Sequence, residues 1–187
     1  LTPTVKNSSI LYGPIRIRVA DISSALKGYF EADGVKVTPL DGDVISTHLS
    51  TELGSSRAHR SINVRRVTYA ASEIARHGGI CLCAMIAPYE EDRNVARGTV
   101  KKKAAIREIA VSTPIEVCKS RDPKNYVRES ERGVGILGFT SVSDPYEFPS
   151  NPEITIDTSK ISIDEAVGKI FAYLASNTDD GTSKNIS

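Results

Sequence analysis

The chain has 187 residues, of which 40% are hydrophobic and 25% charged; that length and balance describe one globular domain and exclude global disorder. Lys and Arg number 24 against 23 Asp and Glu, for a net charge of +1, so neither nucleic acid nor an anionic membrane surface is an expected partner. The longest apolar run, residues 80–87, is far shorter than the roughly 20 residues that span a bilayer, and the N-terminus shows no basic-then-apolar leader pattern.

Short apolar runs then alternate with helical patterns. Residues 8–12 read as a buried strand. Val19, Ile22, Ala25, Leu26, Tyr29 and Phe30 recur at helical spacing, and Gly34 closes that helix. Residues 35–40 read as a strand ending in the polar turn Asp41-Gly42-Asp43. Ile62, Val67, Ala70, Ala71 and Ile74 mark an amphipathic helix that stops at Gly78-Gly79. Residues 80–86 form a continuous apolar run, the pattern of a strand covered on both faces. Residues 90–103 read as a charged helix, 106–111 as a strand, and Thr113-Pro114 as the start of another helix. Residues 154–157 read as a last strand, and Ser162 with Glu165 as a capping box opening a final helix.

This alternation predicts an α/β fold, a parallel sheet with helices on both faces. Residues 1–176 form the expected domain and 177–187 a polar tail. The start at Leu1 reads as a piece of a larger protein. Cys81, Cys83 and Cys118 are odd in number with no repeated spacing, which points to a cytoplasmic setting rather than a disulfide framework. Cys81 and Cys83 lie on one side of a strand and read as buried packing thiols. His48, His59 and His77 are scattered, so no metal cluster is expected.

Such a fold places ligands at the carboxyl ends of its strands, so the turns there hold the candidate site. A phosphate-binding loop would carry Gly, four residues, then Gly-Lys and a hydroxyl, because amides wrap the phosphates, the amine neutralises them and the hydroxyl holds magnesium. Counting from Gly13 reaches Arg18, Val19 and Ala20 in those three places. Arg16 and Arg18 read as solvated arginines or as partners for an anion. Asp41 and Asp43 flank a glycine at a strand end, where a carboxylate pair can hold a metal-bound water and accept a proton; an ordinary turn has the same composition. Arg60, Asn63, Arg65 and Arg66 lie along the start of a helix, either solvated or converging on a phosphate. Ile86, Ala87, Pro88 and Tyr89 follow the most buried strand, and the glycine-rich stretch around Phe139 reads as a lid on which an aromatic ring could stack a base.

Taken together the segments resemble adenylyl-sulfate kinase. They are LDGD at 40–43, LG at 53–54, Arg60 with NVRR at 63–66, IAPYEEDRNVAR at 86–97, TPIEVCKSRDPK at 113–124, GFT at 138–140 and DPYEFP at 144–149. In that family the ATP γ-phosphate passes to the 3′-hydroxyl of adenylyl sulfate. The resemblance implies a P-loop-kinase-like fold, Asp43 near that hydroxyl and Asp41 near magnesium. It further implies adenylyl-sulfate contacts from Arg60, Asn63 and the backbone of Ile86, Ala87 and Pro88, Lys124 in the lid, and Phe139 stacked on adenine.

The departures fall on chemistry. The phosphate loop lacks its second glycine, lysine and hydroxyl. After Asp43 the family's Asn, apolar residue and substrate-binding Arg are Val44, Ile45 and Ser46, and the Phe after LG is Ser55. The lid is rewritten at Asn125-Tyr126. Phosphoryl transfer is mostly positioning and charge neutralisation, so the expectation is a kinase-impaired domain similar to the carboxyl-terminal domain of fungal ATP sulfurylase. It would bind adenylyl sulfate or phosphoadenylyl sulfate as a regulatory or assembly module, with an ATP sulfurylase domain or a second copy as its protein partner. The alternative is an active kinase using magnesium, supported by Asp41, Asp43 and Lys124. A third reading is a structural relic that holds oligomers together.

Overall fold

The structure, a computed structural model, describes residues 7–12, 16–114, 117 and 146–176. Among them five strands, β1 (Asn7–Tyr12), β2 (Val37–Asp41), β3 (Ile80–Met85), β4 (Ala105–Val111) and β5 (Ile154–Ile156), form one sheet in the order β2-β3-β1-β4-β5, every neighbouring pair parallel. The helices are α1 (Arg16–Ala32), α2 (Gly42–Leu49), α3 (Arg57–Arg76), α4 (Glu90–Lys101) and α5 (Ile163–Ser176).

Strand β3 shows why both faces are covered. Its six residues are all buried, and the two-residue period of a strand deals them to opposite sides. Ile80, Leu82 and Ala84 join Val19, Ile22, Leu26 and Phe30 of α1 and Ala166, Val167, Ile170 and Leu174 of α5. Cys81, Cys83 and Met85 join Ile45 of α2, Val64, Val67 and Ala71 of α3, and Ala96 and Val100 of α4. The helices on both faces are thus as the pattern predicts. Cys81 and Cys83 are buried packing groups; burial, with a smaller push from Cys81, raises the Cys83 thiol far above its ordinary range, so Cys83 is no reactive thiolate, and Cys118 lies outside the described residues.

Local signals account for the helix ends. The Ser162 hydroxyl accepts from the Glu165 amide at 3.1 Å and the Glu165 carboxylate accepts from the Ser162 amide at 2.8 Å, the reciprocal capping box. At the end of α3, Gly78 has φ +85°, and a Cβ on Gly79 would stand 2.6 Å from Ile74 Cγ2. Glycine is required at both positions for the chain to turn into β3.

Two expectations change. The first turn does not run to residue 20, because α1 already begins at Arg16. The segment Asp41-Gly42-Asp43 is not a free turn: Asp41 ends β2, and Gly42 and Asp43 open α2, a helix the sequence reading lacks. Eight residues are too few for a periodic signal to stand out. The helix expected after Thr113-Pro114 falls largely outside the described residues.

Candidate functional site

At the carboxyl end of β2, Asp41 is in register with Ala84 of β3. The next residue is glycine for a spatial reason. A Cβ on Gly42 would lie 3.3 Å from the Ala84 carbonyl oxygen, so glycine lets the start of α2 sit flush on β3. Ser46, where the resemblance calls for a substrate-binding arginine, donates its hydroxyl to the Gly42 carbonyl one turn earlier. It serves its own helix and brings no charge to the site.

Helix α3 starts at Ser56, whose hydroxyl accepts from the His59 amide at 3.3 Å. Arg60 donates from Nε to the Ser55 carbonyl at 2.7 Å. Asn63 lies three residues on, on the same face, and its Oδ1 is buried with no hydrogen-bond partner among the described residues. A buried acceptor left in that state is uncommon and calls for a reason. Arg66 is committed elsewhere, to the Leu49 carbonyl at 2.5 Å and Glu52 at 2.6 Å, and Arg65 is exposed.

After β3 comes the turn of Ile86, Ala87, Pro88 and Tyr89. Ala87, Pro88 and Tyr89 are buried and Ile86 half-buried. Ala87 has φ +39°, while no other described residue except glycine takes a positive φ. Arg57 of α3 lies 4.5 Å above the Tyr89 ring, and Ser61 donates to the buried Asp92 of α4 at 2.7 Å. These contacts hold the first turns of α3, just before and beside Arg60, against the start of α4.

At the phosphate-loop positions, Arg18, Val19 and Ala20 are the third to fifth residues of α1. Val19 is fully buried among Ile22, Leu26 and Phe30. A magnesium ion does not fit this donor set, because Ala20 offers a methyl group where a hydroxyl would be its ligand. No group of three or more His, Cys, Asp or Glu able to hold a metal occurs among the described residues. Gly13, Lys124 and Phe139 lie outside the described residues.

A buried ionic cluster escaped the sequence reading. Arg93 of α4, 2% exposed, faces Glu108 of β4 at 3.4 Å without hydrogen-bond geometry. Arg97, one turn on, holds both Glu108, at 2.6 Å, and Glu153. Arg93 Nη1 donates to the Ala87 carbonyl at 2.7 Å and Nη2 to the Glu147 carbonyl at 2.6 Å. Burial pushes the Tyr146 phenol, whose ring lies 5.6 Å from that guanidinium, up to about 12. The signal was present: Glu108, next to Arg107, stands in a strand whose other residues are apolar, and arginines at i and i+4 on the charged helix form one stripe to meet it. A polar cleft of about 190 Å³ runs beside this cluster, lined by Asn94, Lys101 and Ser150 among others, and none of Asp41, Arg60 and Asn63 borders it.

No described helix is long and apolar enough to cross a membrane. A family model for adenylylsulphate kinase matches residues 18–157. The chain is 38% identical over 156 residues to an adenylyl-sulfate kinase of a Synechococcus species, covering 83% of this chain and 86% of that one. It is 42% identical over 142 residues to a sulfate adenylyltransferase of Aspergillus clavatus, covering 75% of this chain but only 25% of that longer protein. Among solved structures, the adenylyl-sulfate kinase of Mycobacterium tuberculosis in complex with AMPPNP and adenylyl sulfate superposes with a TM-score of 0.82 at 26% identity, over 90% of this chain and 97% of that one.

Proposed function

This chain belongs to the adenylylsulphate kinase family, and we propose that within it the chain is a kinase-impaired nucleotide-binding domain of sulfate activation, residues 1–176 with a polar tail at 177–187. The observation that carries this reading is Val19. The residue in the place of the phosphate-binding lysine is 0% exposed in the core, with Arg18 and Ala20 in place of the loop's second glycine and hydroxyl. Removing one charge-assisted donor from a transition state costs about 3–4 kcal/mol, so losing the lysine and its companions together removes several powers of ten in rate.

The adenylyl-sulfate side keeps more. Arg60, Asn63 with its unpartnered buried oxygen, and the Ile86, Ala87 and Pro88 backbone support docking of adenylyl sulfate or phosphoadenylyl sulfate. The M. tuberculosis relative holds adenylyl sulfate beside AMPPNP, and the same class of ligand is the one assigned to this chain. The likeness to a quarter of the A. clavatus sulfate adenylyltransferase supports a regulatory or assembly role beside a sulfurylase domain or a second copy. The second reading, an active magnesium-dependent kinase, draws on Asp41 at the end of β2 and the adjoining Asp43.

Thermal melts with each nucleotide and phosphate transfer from labelled ATP test this reading. Phosphoadenylyl sulfate is expected to raise the melting temperature, millimolar ATP to leave it unchanged, and no phosphate to transfer. Turnover, or calorimetry showing micromolar ATP affinity with magnesium, establishes the active kinase instead. A chain that responds to none of these nucleotides is a structural relic.

A further inference from the structure

We propose that Arg93 is a positioning residue for nucleotide binding, holding the turn of Ile86, Ala87 and Pro88 in the shape that presents its backbone to the ligand; this rests on the reading that an adenylyl-sulfate-type nucleotide docks on that turn. The turn contains a conformation alanine resists. With φ at +39°, the Ala87 Cβ crowds its own carbonyl, and such a residue persists only where its surroundings over-determine it.

The surroundings that do so are specific. Arg93 Nη1 donates to the Ala87 carbonyl itself. Its second amine, Nη2, donates to the Glu147 carbonyl, and the Glu147 amide returns to the Pro88 carbonyl at 2.9 Å. The Glu147 carboxylate accepts from the Glu90 amide at 2.7 Å, closing a ring of bonds around the turn. The planar guanidinium supplies two donors at a set separation. It is itself fixed by Glu108 on one side and the Tyr146 ring on another. Arg93 is buried and acts on the ligand only through Ala87.

Calorimetry with phosphoadenylyl sulfate on the full chain and on Arg93→Lys, Ala87→Gly and the double variant tests this. Lysine keeps the charge facing Glu108 but cannot bridge both carbonyls, so R93K is expected to bind about tenfold more weakly. Glycine adopts the left-handed conformation unaided, so adding R93K to A87G is expected to weaken binding less than about threefold. R93K binding within twofold of the unaltered chain overturns the inference, and so does an equal loss in both backgrounds. If R93K does not fold by circular dichroism, Ala87→Val carries the test: a β-branched residue opposes the positive φ, and unchanged affinity in a folded A87V overturns the inference. An unaltered chain that binds no nucleotide refutes the proposed function first, before any variant is measured, and the inference falls with it.

Discussion

The substitution Val19→Lys restores by sequence what a phosphate-binding loop requires, and the structure says what it must do instead. Val19 is 0% exposed in α1, packed in the cluster that includes Ile22, Leu26 and Phe30. An ammonium there has only apolar neighbours in its cluster of described residues, so the lysine gives up its proton, and at pH 7 neutralising a group that ordinarily titrates near 10.4 costs about 4–5 kcal/mol. Partial escape of the long stem toward solvent from the first turn of α1 reduces this. The expected loss is therefore about 3–5 kcal/mol, a large share of the roughly 5–15 kcal/mol that keeps such a domain folded. The folded-state lysine titrates below its unfolded value, so the penalty is full below the folded value, still large at pH 7, and shrinks as pH rises toward about 10. Urea melts of V19K and the unaltered chain at pH 7 and pH 9.5 measure both terms, and phosphate transfer from labelled ATP measures the gain of function, expected to be nil. Adding Arg18→Gly is not expected to rescue transfer, because Ala20, Ser46 and Ser55 also depart from the family pattern. A V19K variant that melts within about 1 kcal/mol of the unaltered chain and binds ATP at micromolar concentration would refute this reasoning and place residue 19 in a phosphate site.

Further expectations follow from the ionic cluster and the last helix. Burial alone would raise the Glu153 carboxyl, but the hydrogen bond from Arg97 and the Glu108 amide outweigh it and hold it below the ordinary range. Its stabilisation is therefore full above the unfolded carboxylate value and fades as pH falls through the lower folded value. Glu153→Gln is expected to lose about 1–3 kcal/mol at pH 7 and to show a shallower decline between pH 5 and 3 in denaturant melts; parallel curves would contradict the assignment. Ser162→Ala removes the hydroxyl half of the capping box and is expected to lose about 0.5–2 kcal/mol, read from the same melts, while an unchanged midpoint would show that α5 is held by its apolar face alone.

The sequence by itself determined which residues build the sheet and how it is covered. A six-residue run without a polar side chain at 80–85 has only one stable place, the middle of a parallel sheet, and the period of two then assigns Leu82 and Cys83 to opposite layers whatever the rest of the chain does. Caps such as Ser162 with Glu165 are equally local, because both partners lie within one turn. The family resemblance was legible for a related reason: its motifs are short contiguous strings. What only the tertiary structure decided depends on residues distant in the chain. Val19 could have been a loop residue facing a phosphate, and it is a core residue because α1 begins at Arg16 and packs on β3 and α5. The left-handed Ala87 has no signature in the string IAPY; it follows from Arg93 and from Glu147, a residue 60 positions later, closing on the turn together. The Asn63 oxygen, buried and without a hydrogen-bond partner among the described residues, is likewise invisible until the site is assembled around it. Local sequence specifies elements through periods and caps, whereas the shape of a binding turn is set by hydrogen bonds whose partners only the fold brings within 3 Å.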